Sequence, residues 1–386
     1  MKPIFLDYNA TTPIAPEVYD AMKPYLTEHF GNPASNHPYG WKAKEALDRA
    51  RSLLAQYINA ENPHAIIFTS GATESNNLAL KGASYFLKQR GNHIITQKTE
   101  HSSVLETCKD LEQSGFEVTY LDTNKYGFVD PEELEKSIKP KTMLVSVMWA
   151  NNEIGTIQPV SKISQICQKQ KIVFHCDGAQ ALGKIPIDVQ KEKVDLLSLS
   201  GHKVYGPKGV GALYIAQKPS PIRLKPLLVG GGQEFGFRSG TVAVHQIVGF
   251  AKASQIAVER LSQDHVTYLK LREHLWQQIS NSISGAVRNS PQENCLPNTL
   301  NISFEKVDGE TLMLGIPQLA LSAGSACKSQ KGAPSHVLKA IGLPDPLVRS
   351  SLRMSLGRST TRAEIDQAAT WILEAVSQQR AAVGVA

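Results

Sequence analysis

Residues 172–180, IVFHCDGAQ, and 196–215, LLSLSGHKVYGPKGVGALYI, hold three apolar, β-rich runs: one ends in Asp177, one ends in Ser200, and one follows Lys203 and a glycine-rich loop. Short runs of this kind, bounded by glycine and separated by helical patterns, mark the buried strands of a parallel sheet. The same texture continues upstream through IIFTS at 66, HIITQ at 93, VTYL at 118 and MLVSVMW at 143. The alternation predicts an α/β fold with a largely parallel sheet. Further upstream, Trp41, Ala43, Ala46, Leu47, Ala50, Leu53, Leu54, Tyr57 and Ile58 recur mostly at helical spacing and predict one long helix with an apolar face. A second long helical stretch runs from about Val244 into the 270s. Beyond it, LPNTLNISF near 296, LALSAGSAC near 319 and SLRMSLGRS near 351 read as strands or strand ends, and a last helix starts near Arg362. This part reads as a smaller α+β domain.

The chain has 386 residues, 41% apolar and 20% charged, enough to bury large cores and far from the composition of disordered chains. Its net charge of +6 comes from scattered basic residues, without the runs or interleaved aromatics of a nucleic-acid surface. A mild positive charge suits anionic ligands. The N-terminal residues lack the regions of a signal peptide and no stretch approaches 18 apolar residues, so a cytoplasmic protein without a membrane partner is expected. Five cysteines, Cys108, Cys167, Cys176, Cys295 and Cys327, stand at wide spacings without a CxxC or a Cys/His ligand pattern. Neither a disulfide framework nor a metal site is expected.

Three segments carry candidate chemistry. In TSGATESNNLAL, 69–80, a β-rich run ends in Gly71 and a helix begins near Thr73; such a junction cradles phosphate with free N–H groups and the helix dipole. A glycine turn with Thr73 as a simple N-cap has the same appearance. Asp177, with Gln180 three residues on, ends an apolar strand, where open α/β sheets keep their sites, although aspartates also initiate turns there. Lys203 follows the strand LLSLS. A partly desolvated lysine can form a Schiff base with an aldehyde cofactor, and an aspartate on another strand end can hold a pyridine nitrogen protonated. The three together point to pyridoxal phosphate.

GATES at 71–75, TEHSS at 99–103, NNEIG at 151–155, DGAQ at 177–180, SGHKVYGPKG at 200–209, GGGQE at 230–234, RSGT at 238–241 and SAGSAC at 322–327 together resemble a cysteine desulfurase of the NifS/IscS type, within the fold-type I pyridoxal-phosphate enzymes. The resemblance covers nearly the whole chain. It implies a large cofactor-binding domain over 16–254 and a smaller one formed by 1–15 with 255–386. It also implies that Lys203 holds the cofactor, that Asp177 pairs with its ring nitrogen, and that Asn152 and Gln180 contact its ring oxygen. Ala72, Thr73, Ser200 and His202 would serve the phosphate, with Thr241 reaching it from the neighbouring subunit of a homodimer. His101 would stack on the ring and move protons, while Arg353, assisted by Asn152, would take the substrate carboxylate. At Phe235, after GGGQE, relatives often carry a basic residue.

Cys327 stands in a stretch of small and polar residues, SAGSACKSQKGAPSH, with Lys328 and Lys331 to favour its thiolate. The other four cysteines sit on helical or strand patterns or, for Cys295, in a polar loop, and are expected to be core residues. The implied activity converts L-cysteine to L-alanine and leaves the sulfur on Cys327 as a persulfide, for acceptors such as an iron-sulfur scaffold protein. Rival readings are a selenocysteine lyase or a cystine or cysteine C–S lyase on the same fold, and a non-catalytic assembly module.

Overall fold

The computed structural model describes residues 3–218, 222–322 and 334–382. After a short strand β1 (Ile4–Phe5), all seven runs predicted between 66 and 215 are strands: β2 (Ile66–Thr69), β3 (His93–Gln97), β4 (Glu117–Leu121), β5 (Thr142–Ser146), β6 (Val173–Asp177), β7 (Leu196–Ser200) and β8 (Gly211–Ile215). They form one sheet in the order β2-β8-β7-β6-β5-β3-β4, parallel except for β8, which runs against both neighbours. Every residue of β2, β3, β7 and β8 is buried, as expected of strands covered on both faces.

Alternation along β6 decides what its end offers. Phe174 and Cys176 enter the apolar core on one face, so His175 and Asp177 point to the other. That face carries the helix Ala72–Leu87, which packs on β5, β7 and β8 through Leu78, Ala79, Leu80 and Ala83. The helix can begin where it does because Gly71 adopts φ +154° and because Gly211 lets β8 pass beneath it; a Cβ on Gly211 would lie 2.6 Å from Gly71 Cα.

The predicted long helix spans Pro38–Tyr57 and buries Ala43, Ala46, Leu47, Ala50 and Leu54, largely against the helix Val244–Glu259. The second stretch is two helices, Val244–Glu259 and Leu261–Ser282. They meet at Arg260, whose backbone at φ −90°, ψ −4° leaves the helical ψ, and Asp264, one turn on, binds both Arg260 and Arg358. A second apolar core follows, built on the antiparallel strands β9 (Ala286–Arg288), β10 (Thr299–Phe304) and β12 (Leu352–Ser355) in the order β12-β10-β9, and on the helix Arg362–Ala382. The N-terminus joins this core: Ile4 and Leu6 are buried in it, and β1 pairs in parallel with β11 (Leu319–Ala320).

Phe235 sits at φ +57°, lies over the guanidinium of Arg51 (5.0 Å) and meets the ring of His64 edge-on. Its neighbour Glu234 forms a buried bidentate pair with Arg51 (both 2.7 Å) and accepts from the N–H of Phe68, tying GGGQE to β2. No helix among the described residues is long and apolar enough to cross a membrane.

Candidate active site

The carboxyl ends of β2, β3, β5, β6 and β7 open on one cavity of about 470 Å³. Ala72, Thr73, Ser200 and His202 line it, as do His101, Asn152, Asp177, Gln180, Lys203 and Arg353. Exposed Thr241 does not, and Cys327 lies outside the described residues.

The helix Ala72–Leu87 starts at the cavity wall with no side chain capping it, because its N-cap is Gly71 and not Thr73. Its first-turn N–H groups and dipole therefore favour an anion there. Ser200 ends β7. His202 follows, bonded through Nδ1 to Thr11 (3.1 Å), and burial beside Lys203 and Lys208 pulls its pKa down to about 4. It is a neutral ring at neutral pH.

Asp177 is held rigidly: Oδ1 accepts from the N–H of Ala179 (2.9 Å) and Oδ2 from Nδ2 of Asn76 (2.7 Å). The same amide nitrogen donates to Ser103 Oγ (2.8 Å), which meets His101 Nδ1 at 2.8 Å. The N–H of Ser103 also donates to that nitrogen, so the neutral imidazole carries its proton on Nε2. One chain thus connects Asp177, Asn76, Ser103 and His101. Burial lowers the His101 pKa against the opposing pull of Asp177. Glu100, wholly buried beside it, is raised by desolvation to about 8, although Gln97 and the N–H of Met148 bond its Oε1.

Lys203 Nζ donates to the main-chain oxygens of Asn9 (2.5 Å) and Ala10 (2.8 Å). Asn9 is a junction. Its Nδ2 donates to Asn152 O and Thr299 Oγ1, its Oδ1 accepts from Asn298 and Lys184, and its carbonyl also accepts from Gln180 Nε2 (3.0 Å). Arg353, on β12, donates to Asp7 Oδ1 (2.6 Å) and Asn152 O (3.2 Å), and its buried Nε has no partner among the described residues. Arg358, the other arginine of SLRMSLGRS, turns away to Asp264 and the ring of Tyr205.

Asp7, Asn9, Asn76, Ser103 and Lys184 were not singled out from sequence. For two of them a signal existed: Asn76 lies one helical turn beyond Thr73, and Ser103 stands two residues after His101 in TEHSS. For Asp7, Asn9 and Lys184 only the three-dimensional contacts reveal the role. The cysteines Cys108, Cys167, Cys176 and Cys295 are buried and free, and none lines the cavity. Burial pushes all four thiols above their ordinary range, Cys295 to about 11.

The donor set suits pyridoxal phosphate: an amine, a carboxylate fixed across the cavity, an uncapped helix N-terminus for a phosphate, and an unsatisfied guanidinium N–H for a carboxylate. The described residues contain no cluster able to hold a metal ion.

The aminotransferase class-V family model matches residues 4–368. A curated protein of Neisseria meningitidis serogroup C, the cysteine desulfurase IscS, is 52% identical over 379 residues, which is 98% of this chain and 93% of that protein. Among solved structures, a NifS-like protein superposes with TM-score 0.90 at 41% identity, covering 97% of this chain and 99% of its own. SspA in complex with cysteine matches with TM-score 0.81 at 40% identity, covering 91% and 98%.

Proposed function

This chain belongs to the aminotransferase class-V family, in its cysteine desulfurase branch, and from that premise we propose that its cavity binds pyridoxal phosphate and L-cysteine. The enzyme converts L-cysteine to L-alanine and passes the sulfur to Cys327. The observation that carries this reading is the meeting of Lys203, Asp177, His101 and Arg353 around one cavity, beside an uncapped helix N-terminus.

Lys203 would hold the cofactor's aldehyde carbon, Asp177 its ring nitrogen, and Gln180 and Asn152 its ring oxygen. The phosphate would lie on the N–H groups at Ala72 and Thr73, with Ser200 and His202, and with Thr241 of a second copy of this chain. Once bound, pyridoxal phosphate supplies an electron sink for the pair left when the substrate's α-proton departs. The chain's own groups do the rest. Asn76 holds the Asp177 carboxylate in place, where it would meet the ring nitrogen. Arg353, braced by Asp7, turns the substrate so that its α-proton faces Lys203, which takes it. His101, with its proton on Nε2, presents a donor beside the leaving sulfur.

The thiolate of Cys327 attacks the substrate sulfur. The C–S bond breaks, its electron pair goes to the substrate's β-carbon, which is protonated to a methyl, Lys203 returns the proton to the α-carbon to give alanine, and the sulfur stays on Cys327 as a persulfide. Support for Cys327 comes from both sides of the undescribed segment: Ser322 pairs with the backbone of Arg353, and His336 donates to the carbonyl of Glu100, next to His101. The four described thiols are protonated and away from the cavity.

Homodimerisation, a cytoplasmic setting, a division into 16–254 and 1–15 with 255–386, and delivery to an iron-sulfur scaffold or another sulfur acceptor complete the proposal. Exposed Thr241 and the exposed aromatics Phe30, Tyr39 and Trp41 are consistent with a subunit interface. Intact-mass spectrometry after incubation with cysteine tests the reading. The wild type should gain one sulfur, mapped to Cys327, with alanine formed. If Cys327→Ser releases sulfide at the wild-type rate, the enzyme is a simple C–S lyase.

A further inference from the structure

Lys184 has no part in the reaction above and makes no ion pair among the described residues, yet it is only 7% exposed. Its Nζ donates to Asn9 Oδ1 at 3.1 Å and to Gln180 Oε1. Burial disfavours its charged form, and the cations Lys203 and Arg353 add to that effect. A cavity of about 10 Å³ beside it, room for about one water, is also lined by Asp264 and Arg358, which pair with each other at 2.8 Å. A buried lysine with two amide oxygens as its partners costs stability relative to an apolar side chain, so its place calls for a role.

Those bonds leave one orientation for the Gln180 amide. The Asn9 carbonyl can only accept, so it must face Nε2 (3.0 Å), which leaves Oε1 to accept from Lys184 Nζ. Gln180 lines the cavity, and its amide then has one N–H left for a ligand there. Without Lys184 only the Asn9 carbonyl opposes a turn of the amide, which would present an oxygen to the electron-rich ring oxygen. The Asn9 carbonyl that receives Gln180 Nε2 also receives Lys203 Nζ, so the same contacts steady the lysine that holds the cofactor.

We propose that Lys184 is a positioning residue that locks Gln180 with an N–H toward the cofactor's ring oxygen and, through Asn9, holds the carbonyl against which Lys203 rests. This rests on the reading that the cavity binds pyridoxal phosphate.

The test is a double-mutant cycle on the dissociation constant of pyridoxal phosphate, followed by tryptophan fluorescence, with the cofactor's visible absorbance and the melting temperature of the unloaded protein alongside. Lys184→Met should weaken cofactor binding about tenfold, the size of one hydrogen bond, and shift the absorbance band. Gln180→Ala should do the same, and adding Lys184→Met to it should cost less than about twofold more. Multiplying effects would overturn the proposal, since Lys184 would then act independently of Gln180. So would unchanged affinity and absorbance with only a lower melting temperature, which is what a purely structural lysine gives. Should Lys184→Met not fold, Lys184→Gln goes through the same cycle under the same criterion. A wild-type protein that takes up no pyridoxal phosphate overturns both readings, whereas normal uptake with an indifferent Lys184→Met overturns this one alone.

Discussion

Glu100 gives the site a pH-dependent stability that a single substitution removes. The carboxyl is wholly buried, and desolvation raises it from an ordinary 4.5 to about 8, with the charge of Asp177 adding to the effect. Because the folded pKa lies above the unfolded one, the folded state binds the extra proton. Stability from this group is complete below about pH 4.5, falls as pH rises, and levels off above about 8, at about 1.4 kcal/mol per pH unit between. Glu100→Gln keeps an oxygen for the N–H of Met148 and for Gln97 but does not titrate. Between pH 6 and pH 8.5 the variant should therefore gain about 2.5 kcal/mol on the wild type. For a chain of 386 residues one degree of melting temperature corresponds to about 0.8 kcal/mol, so the gap should widen by about 3 °C. Calorimetry of both proteins, saturated with pyridoxal phosphate at each pH, isolates this difference, since other titrating groups cancel between them. An equal gap at the two pH values would mean that Glu100 is already ionised when folded and that burial does not govern it.

Borohydride reduction should fix the cofactor on Lys203; label on another lysine would refute its assignment. Arg353→Lys removes the bidentate fork while keeping the charge near Asp7, and should raise KM for cysteine about tenfold or more with cofactor affinity little changed; an unchanged KM would move the carboxylate site elsewhere. Asn76→Leu cuts the link between Asp177 and Ser103, and should lower kcat and displace the pH profile that reports His101, whereas a fall in thermal stability alone would make Asn76 merely structural. Arg51→Met strands Glu234 in a buried pocket and should cost about 3–5 kcal/mol in unfolding experiments; a loss below about 1 kcal/mol would show that water reaches the pair.

What could be read from the sequence follows from how far each interaction reaches along the chain. The seven strands of the central sheet were legible because their signal, an unbroken apolar run between turns, is local. The break at Arg260 was not, because it marks no proline or glycine and coincides with Asp264 binding Arg260 and, from far along the chain, Arg358. Asp177 and Lys203 were legible from their places at strand ends. The contacts that aim them were not: Asn76 meets Asp177 across 101 residues, Asn9 meets Lys203 across 194, and Asp7 meets Arg353 across 346.

Asn9 shows the limit most clearly. As a letter in LDYNATTP it is an ordinary turn residue, and nothing in its neighbours marks it. Its importance comes from β1 lying against β11, which draws the N-terminal segment into the second core and lays the next few residues across the mouth of the first. There its side chain is held by Asn298 and Thr299, at the start of β10, while its carbonyl takes Gln180 and Lys203 from the ends of the large sheet. One residue thereby sets the spacing between the Lys203 side of the cavity and the Arg353 side. A shift between the two cores must break these bonds before it can pull the substrate carboxylate away from the lysine that takes its α-proton. Accuracy at the reacting carbon is thus built from the packing of two cores on a third segment, at a distance from any motif.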